Sequence, residues 1–149
     1  MASITRIRTS SAPAATVWGV LSDFGSISSW AANTDHSCLL DHTDDVTAVG
    51  TTRRVQIGRN TVVERITESS PPDVLAYDIE GLPRWLGRVS NRWVVASSGT
   101  GTRVTLTSTV LIADNPVARA AEHLVCRVMA KQSDAMLDGL AKRVENSRV

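Results

Sequence analysis

The sequence predicts an α+β domain in which an antiparallel sheet of about six to seven strands is covered on one face by a long C-terminal helix, with two short helices after the first strand. Three observations carry this. Apolar residues recur at helical spacing at Val117, Ala121, Leu124, Val125, Val128, Met129, Met136 and Leu140, with charged residues on the opposite side. Upstream of them, short apolar segments follow one another, separated by turn residues. Within the last of these, Val104, Leu106, Ser108, Val110 and Ile112 share one face, while Arg103, Thr105, Thr107 and Thr109 share the other. That is the alternation of a sheet with one buried and one wet face.

In chain order, Ile4 to Arg8 reads as a short strand. Ser11 can cap a helix with Pro13 at its start, running through Val17, Trp18, Val20 and Leu21 to Phe24, where Gly25 stops it. Ile27 to Trp30 reads as a second helical turn. Strands follow at Ser37–Leu40, Thr51–Ile57, Thr61–Thr67, Val74–Glu80, Gly87–Ala96 and Thr102–Ile112. Asp41–Asp45, Gly58–Asn60, Ser69–Asp73, Gly81–Pro83 and Ser97–Gly101 separate them. In the fifth strand Leu75, Tyr77 and Ile79 face in; in the sixth, Val89, Asn91, Trp93 and Val95 do. Asn115 caps the final helix, and Pro116 occupies its first position, where a missing N–H costs nothing. Gln132 and Gly139 interrupt its apolar stripe. Close sheet contact or a slight bend would compensate the glycine's cost of about 1 kcal/mol relative to alanine.

The third and fourth strands break the alternation in an informative way. Arg53 shares a face with Val55 and Ile57, and Glu64 with Val62 and Ile66. A two-residue Gly58-Arg59 turn would set Arg53 directly opposite Glu64. A register shifted by two would make them diagonal neighbours. Dry burial of such a pair costs several kcal/mol per ion before attraction repays it. Either a wetted cavity or polar ligand relieves that cost, or the pair is partly exposed near a sheet edge.

Composition narrows the function. With 149 residues the chain is one domain, 1–149, large enough to bury a core. Its 16 Lys+Arg nearly balance 15 Asp+Glu, with no block of like charge, which argues against a nucleic-acid partner. No segment approaches the roughly 18 apolar residues of a membrane span, and the N-terminus lacks an apolar signal core. A cytoplasmic protein, monomer or homodimer, is expected. Cys38 and Cys126 form no paired motif and read as small buried apolar residues; the histidines lack ligand spacing, so neither metal nor cofactor is expected. No nucleophile, histidine and acid fall in a known catalytic spacing. Gly99–Thr102 joins two strands and opens no helix, so it is a hairpin and not a phosphate loop.

The stretches SSAPAATVWGVLSDFGSISSW, VGTTRRV, ERITESSPPDVLAYDIEGLP and GTRVTLTSTV resemble, in order, the helix-grip (SRPBCC, START-like) superfamily, in its polyketide cyclase/dehydrase-like branch. That superfamily holds START-like lipid carriers, the birch-pollen-allergen fold and the plant abscisic-acid receptors. The resemblance implies a curved sheet gripping the C-terminal helix, with a ligand cavity between them. It puts Arg53 on the arginine of the family's VG-x-x-R strand and Glu64 on a glutamate that faces the pocket in the hormone-receptor branch. Two features depart from that branch. Ala31 follows Trp30 where a ligand-binding lysine would stand, and Gly81-Leu82-Pro83 lies one loop later than the hormone gate.

The expected cavity wall comprises Trp30, Arg53, Val55, Glu64, Tyr77, Asn91, Trp93, Ser108, Met129, Gln132 and Met136. Gly81, Leu82, Pro83 and Trp85 form its rim. For the aromatics and methionines the alternative is plain core packing. Trp85 is a lid, a membrane- or partner-touching anchor, or a buried structural residue. A mostly apolar wall with a few convergent polar groups is what small-molecule sites look like. The reading is a binder or carrier of a hydrophobic small molecule, such as a lipid, polyketide or aromatic metabolite. The alternative is a cyclase/dehydrase-like enzyme in which Arg53 stabilises an enolate and Glu64 or Tyr77 exchanges protons.

Overall fold

The structure, a computed structural model, describes residues 2–32, 34–82, 86–111 and 116–146, apart from the side chain of Ala118. The expected cap Asn115, the strand end at Ile112 and the rim residues Pro83 and Trp85 lie outside the described residues. β1 (Ala2–Ser10) leads to α1 (Ala14–Ser22) and a 3₁₀ segment (Phe24–Ser29). Then come β2 (His36–Leu39), β3 (Thr52–Ile57), β4 (Asn60–Ser70), β5 (Val74–Glu80), β6 (Arg88–Ser98), β7 (Gly101–Leu111) and α2 (Pro116–Asn146). The seven strands make one open, curved antiparallel sheet in the order β1-β7-β6-β5-β4-β3-β2.

Turn chemistry sets the register. Ile57 pairs with Asn60, so Gly58 and Arg59 alone make the β3–β4 turn. Gly58 has φ +61°, and no described non-glycine residue has positive φ. That combination fits a type II′ turn and excludes type I′. Arg53 therefore faces Glu64 directly. Three residues after Glu64 on β4 the register slips between Ile66 and Glu68, leaving Thr67 as a bulge. A bulge bends its strand and increases the local twist, which helps an open sheet curl over a helix.

Local signals misplace the first helix. Ser11 does not cap it: the N-cap position belongs to Pro13, whose carbonyl accepts from the Thr16 and Val17 amides at 3.0 and 3.2 Å. The helix ends at Ser22, and Gly25 lies inside the 3₁₀ segment instead of stopping α1. Leu39 explains the glycine there, since an added Cβ would sit 2.8 Å from its Cγ. The cysteines also differ from expectation. Cys38 is exposed on the edge strand β2 and Cys126 is half-buried on α2, and both are free.

The core lies between the sheet and the C-terminal half of α2. Met136, Leu137, Leu140 and Val144 join Val17, Phe24, Trp30, Trp93, Val104 and Leu106 in one buried cluster. Along β1 the same helix makes polar contacts: Arg6 with Asp134 and Arg8 with Asp138, both at 3.5 Å, and Ser10 Oγ donating to Glu145 at 3.3 Å. Such exposed pairs contribute about 0–1 kcal/mol each, so the apolar cluster holds the helix. The N-terminal half behaves differently. Val117, Leu124 and Val128 are 80%, 66% and 59% exposed, although their spacing predicts a buried stripe. No helix among the described residues is long and apolar enough to cross a membrane.

Candidate functional site: an apolar cavity with one carboxylate

The half of α2 that leaves the core stands over an open cavity of about 420 Å³. From the sheet, Val55, Ile57, Val62, Glu64, Ile79, Val89, Asn91 and Val110 reach its wall; from α2, Leu124, Val125, Val128, Met129, Gln132 and Met136 do. Leu82 and Leu86 border it from the loop between β5 and β6. Leu124 and Val128 are exposed because the space beneath them is empty where a solid core would have put side chains.

Of the eleven expected wall residues, six line this cavity: Val55, Glu64, Asn91, Met129, Gln132 and Met136. The other five, Trp30, Arg53, Tyr77, Trp93 and Ser108, are buried but lie off the wall. Arg53 and Tyr77 pack against Phe24 of the 3₁₀ segment, and Ser108 meets Ser133 of α2. Trp30 stacks edge-on against Trp93 with ring centroids 5.8 Å apart, and its Nε1 has no hydrogen-bond partner among the described residues. Of the rim, Leu82 reaches the wall; Gly81 turns the chain with φ +94°. Sequence reasoning did not select Leu86 or the apolar pair Val62 and Val110, because nothing in an apolar sheet residue tells cavity wall from packed core.

Arg53 is the centre of the buried layer. Its Nε donates to Glu64 Oε1 at 2.7 Å, Nη2 lies 2.6 Å from the same oxygen, and Nη1 donates to the Phe24 carbonyl at 2.8 Å. Its guanidinium carbon lies 3.8 Å from the Phe24 ring centroid and 4.7 Å from that of Tyr77. The side chains of Arg53 and Glu64 are 3% and 7% exposed, so the pair is buried and not at a wet edge. Two cation–π contacts and a carbonyl replace part of the lost hydration of the arginine. This commits Arg53 to Glu64 and Phe24 and keeps it off the wall, where a developing enolate would need it.

Glu64 itself does reach the cavity. Both arginine contacts fall on Oε1. Trp30 Nε1 is the one fully buried side-chain polar atom without a partner among the described residues. Oε2 accepts no bond from another described residue, and Glu64 lines the cavity. The wall thus carries a carboxylate whose orientation is fixed from behind.

A second polar chain runs beside it. Trp93 Nε1 and Asn91 Nδ2 donate to the Tyr77 hydroxyl at 3.2 and 3.4 Å, and Ser108 Oγ donates to Asn91 Oδ1 at 2.6 Å. Ser108 Oγ also meets Ser133 Oγ of α2 at 3.2 Å. Such chains satisfy buried polar groups and fix side-chain positions. Burial first, and then the charge of Glu64, raise the Tyr77 pKa above its ordinary 10.0. A phenol held neutral in this way is poorly suited to act as a base.

Tyr77 is the only tyrosine in the chain, so its ionisation can be read directly. Below about pH 10 the phenol is neutral in both folded and unfolded chains. Above it the unfolded chain ionises while the folded one resists, so stability falls as pH rises past the ordinary tyrosine value. Phenolate absorbance is expected to appear together with the loss of native circular dichroism. A separate ionisation of the native protein near pH 10 would contradict the burial argument.

Comparison with known proteins agrees with this architecture. The family described as polyketide cyclase/dehydrase and lipid transport matches residues 1–145. No curated protein matches the sequence. Among solved structures, the Zhui aromatase/cyclase from Streptomyces sp. R1128 is similar with a TM-score of 0.82 at 20% identity, over 99% of this chain and 96% of that one. A START superfamily protein from Mycobacterium smegmatis gives 0.77 at 14% identity, over 97% of each chain. Ara h 8.0201 gives 0.76 at 15%, over 97% of this chain and 98% of that one. At such identities the likeness is one of fold, the helix-grip or START-like architecture.

Proposed function

Because the chain belongs to the polyketide cyclase/dehydrase and lipid transport family, we propose that it binds or carries a hydrophobic small molecule, such as a lipid, polyketide or aromatic metabolite, between its sheet and α2. The observation that carries this reading is the 420 Å³ cavity with its almost wholly apolar wall. Leaving so much apolar surface open forgoes about 25 cal/mol of stabilisation for each Å² that packing would have covered. A ligand recovers that term. The two methionines of α2 on the wall, half-buried Met129 and buried Met136, can adapt their rotamers to an irregular ligand.

Native mass spectrometry of the purified protein, followed by thermal unfolding against a panel of lipids and polyphenols, tests this. A ligand at a hundred times its Kd stabilises by about 2.7 kcal/mol, which corresponds to a rise in Tm of roughly 5–10 °C for a domain of this size. A retained small molecule, or a shift of that order with at least one ligand class, is the expected result. No retained mass and no shift across the panel would refute the reading.

One observation favours catalysis as a second reading, namely the oriented carboxylate on the wall. In a cyclase/dehydrase-like reaction Glu64 would remove a proton from a carbon acid through Oε2, and Arg53 would act by holding Glu64, without touching substrate. Turnover of poly-β-ketone mimics should then fall by two orders of magnitude or more in Glu64→Gln, the usual weight of a general base being about 10²–10⁴. Equal turnover by both proteins would dispose of it.

A further inference from the structure

Granting that the cavity binds an apolar ligand, we propose that it selects neutral ligands bearing a hydroxyl group and turns away carboxylates, with Glu64 Oε2 accepting the hydroxyl's hydrogen bond. Charge on the wall carries the argument. Among the described lining residues Glu64 is the only ionisable one; the remaining polar ones, Thr34, Asn91 and Gln132, are neutral. No described lysine, arginine or histidine lines the space. A carboxylate entering it would lose its hydration and find no cation among the described lining residues to replace it.

Among the described residues, the cation closest behind the wall is already engaged. Arg53 directs Nε and Nη2 to Oε1 of Glu64 and Nη1 to the Phe24 carbonyl, with the Phe24 and Tyr77 rings packed against it. From the cavity, Glu64 stands in front of Arg53, so an incoming anion meets the negative end of the pair first. A hydroxyl group meets the reverse situation. It brings a donor to an oxygen that accepts no bond from another described residue, and a hydrogen bond to a charged acceptor is about twice as strong as one between neutral groups. A plain hydrocarbon would leave that oxygen desolvated and unpaired, so it should bind less well than the alcohol of the same shape.

The test is calorimetric titration of the full-length protein at neutral pH with three probes on one skeleton: naphthol, naphthoate and methylnaphthalene. Naphthol is expected to bind roughly tenfold or more tighter than naphthoate, with methylnaphthalene between them. In Glu64→Gln the Arg53 charge is no longer balanced, and the preference should narrow or reverse as naphthoate gains affinity. Naphthoate binding as tightly as naphthol to the wild-type protein overturns the selectivity and leaves ligand binding intact. So does an unchanged ratio in a Glu64→Gln protein whose circular dichroism is native. If none of the three binds and the lipid and polyphenol panel is also negative, the binding reading falls and the selectivity with it. Should Glu64→Gln fail to fold, the wild-type ratio decides by itself, since it needs no variant.

Discussion

Replacing Glu64 by alanine is expected to lower the free energy of unfolding by about 3–5 kcal/mol, a large share of the roughly 5–15 kcal/mol that a domain possesses. The loss comes from what is left behind. Arg53, 2% exposed, would keep its charge with only the Phe24 carbonyl and two aromatic faces as partners. Replacing both members, as in Arg53→Met with Glu64→Leu, should recover most of the loss, because a buried pair and a well-packed apolar pair of similar volume are often close in energy. Urea unfolding of the two single variants and the double variant gives the coupling directly. A Glu64→Ala protein within about 1 kcal/mol of wild type would mean that water reaches Arg53 and that the site is wetter than its burial indicates.

Gly139→Val is expected to cost about 3 kcal/mol, at the upper end for overpacking. Gly139→Ala is the sharper comparison. Helix propensity alone says that alanine at this mid-helix position should gain about 1 kcal/mol. The structure reverses the sign: a Cβ at Gly139 would collide with the Trp30 carbonyl oxygen, with the Ala32 amide nitrogen at ordinary contact distance, 3.6 Å away. Both are backbone atoms, so no rotamer change can relieve the contact. Alanine should therefore destabilise. A more stable Gly139→Ala protein, measured by thermal and urea unfolding, would show that the segment after the 3₁₀ turn yields at little cost.

Much of this fold was legible along the chain because strands and helices have fixed side-chain periods. The inward rows of β5, β6 and β7 follow from alternation alone, and their burial agrees, with Tyr77, Trp93 and Leu106 among the most enclosed residues. The Arg53–Glu64 pairing followed from parity and from a glycine placed first in a two-residue turn. The first helix was less legible. Serine, proline and glycine there each fit a local rule, but the packing of Leu39 against Gly25 overrides the stop signal. Gly139 was recognisable as a compensated weakness; its partner is the backbone at Trp30, and not the sheet.

The candidate site divides in the same way. Periodicity assigns a residue to a face, and on that basis Arg53, Glu64, Tyr77, Asn91, Trp93 and Ser108 all belong to the inner side of the sheet. It assigns no depth. Depth depends on how far the sheet curls and on where α2 parts from it, and both are set by contacts between residues distant in sequence. Phe24, from the 3₁₀ segment, lies over Arg53 and presses it behind Glu64. The C-terminal half of α2 packs down through Leu137, Leu140 and Val144, while its N-terminal half, with the same apolar spacing, stands over open space at Leu124 and Val128. The sequence by itself determined the order of elements, the inward faces and the Arg53–Glu64 pairing, because each rests on local geometry; the pair's burial came only with the structure. Only the tertiary structure decided that Glu64 meets the cavity and Arg53 does not, because that depends on which of two paired side chains a remote aromatic residue covers.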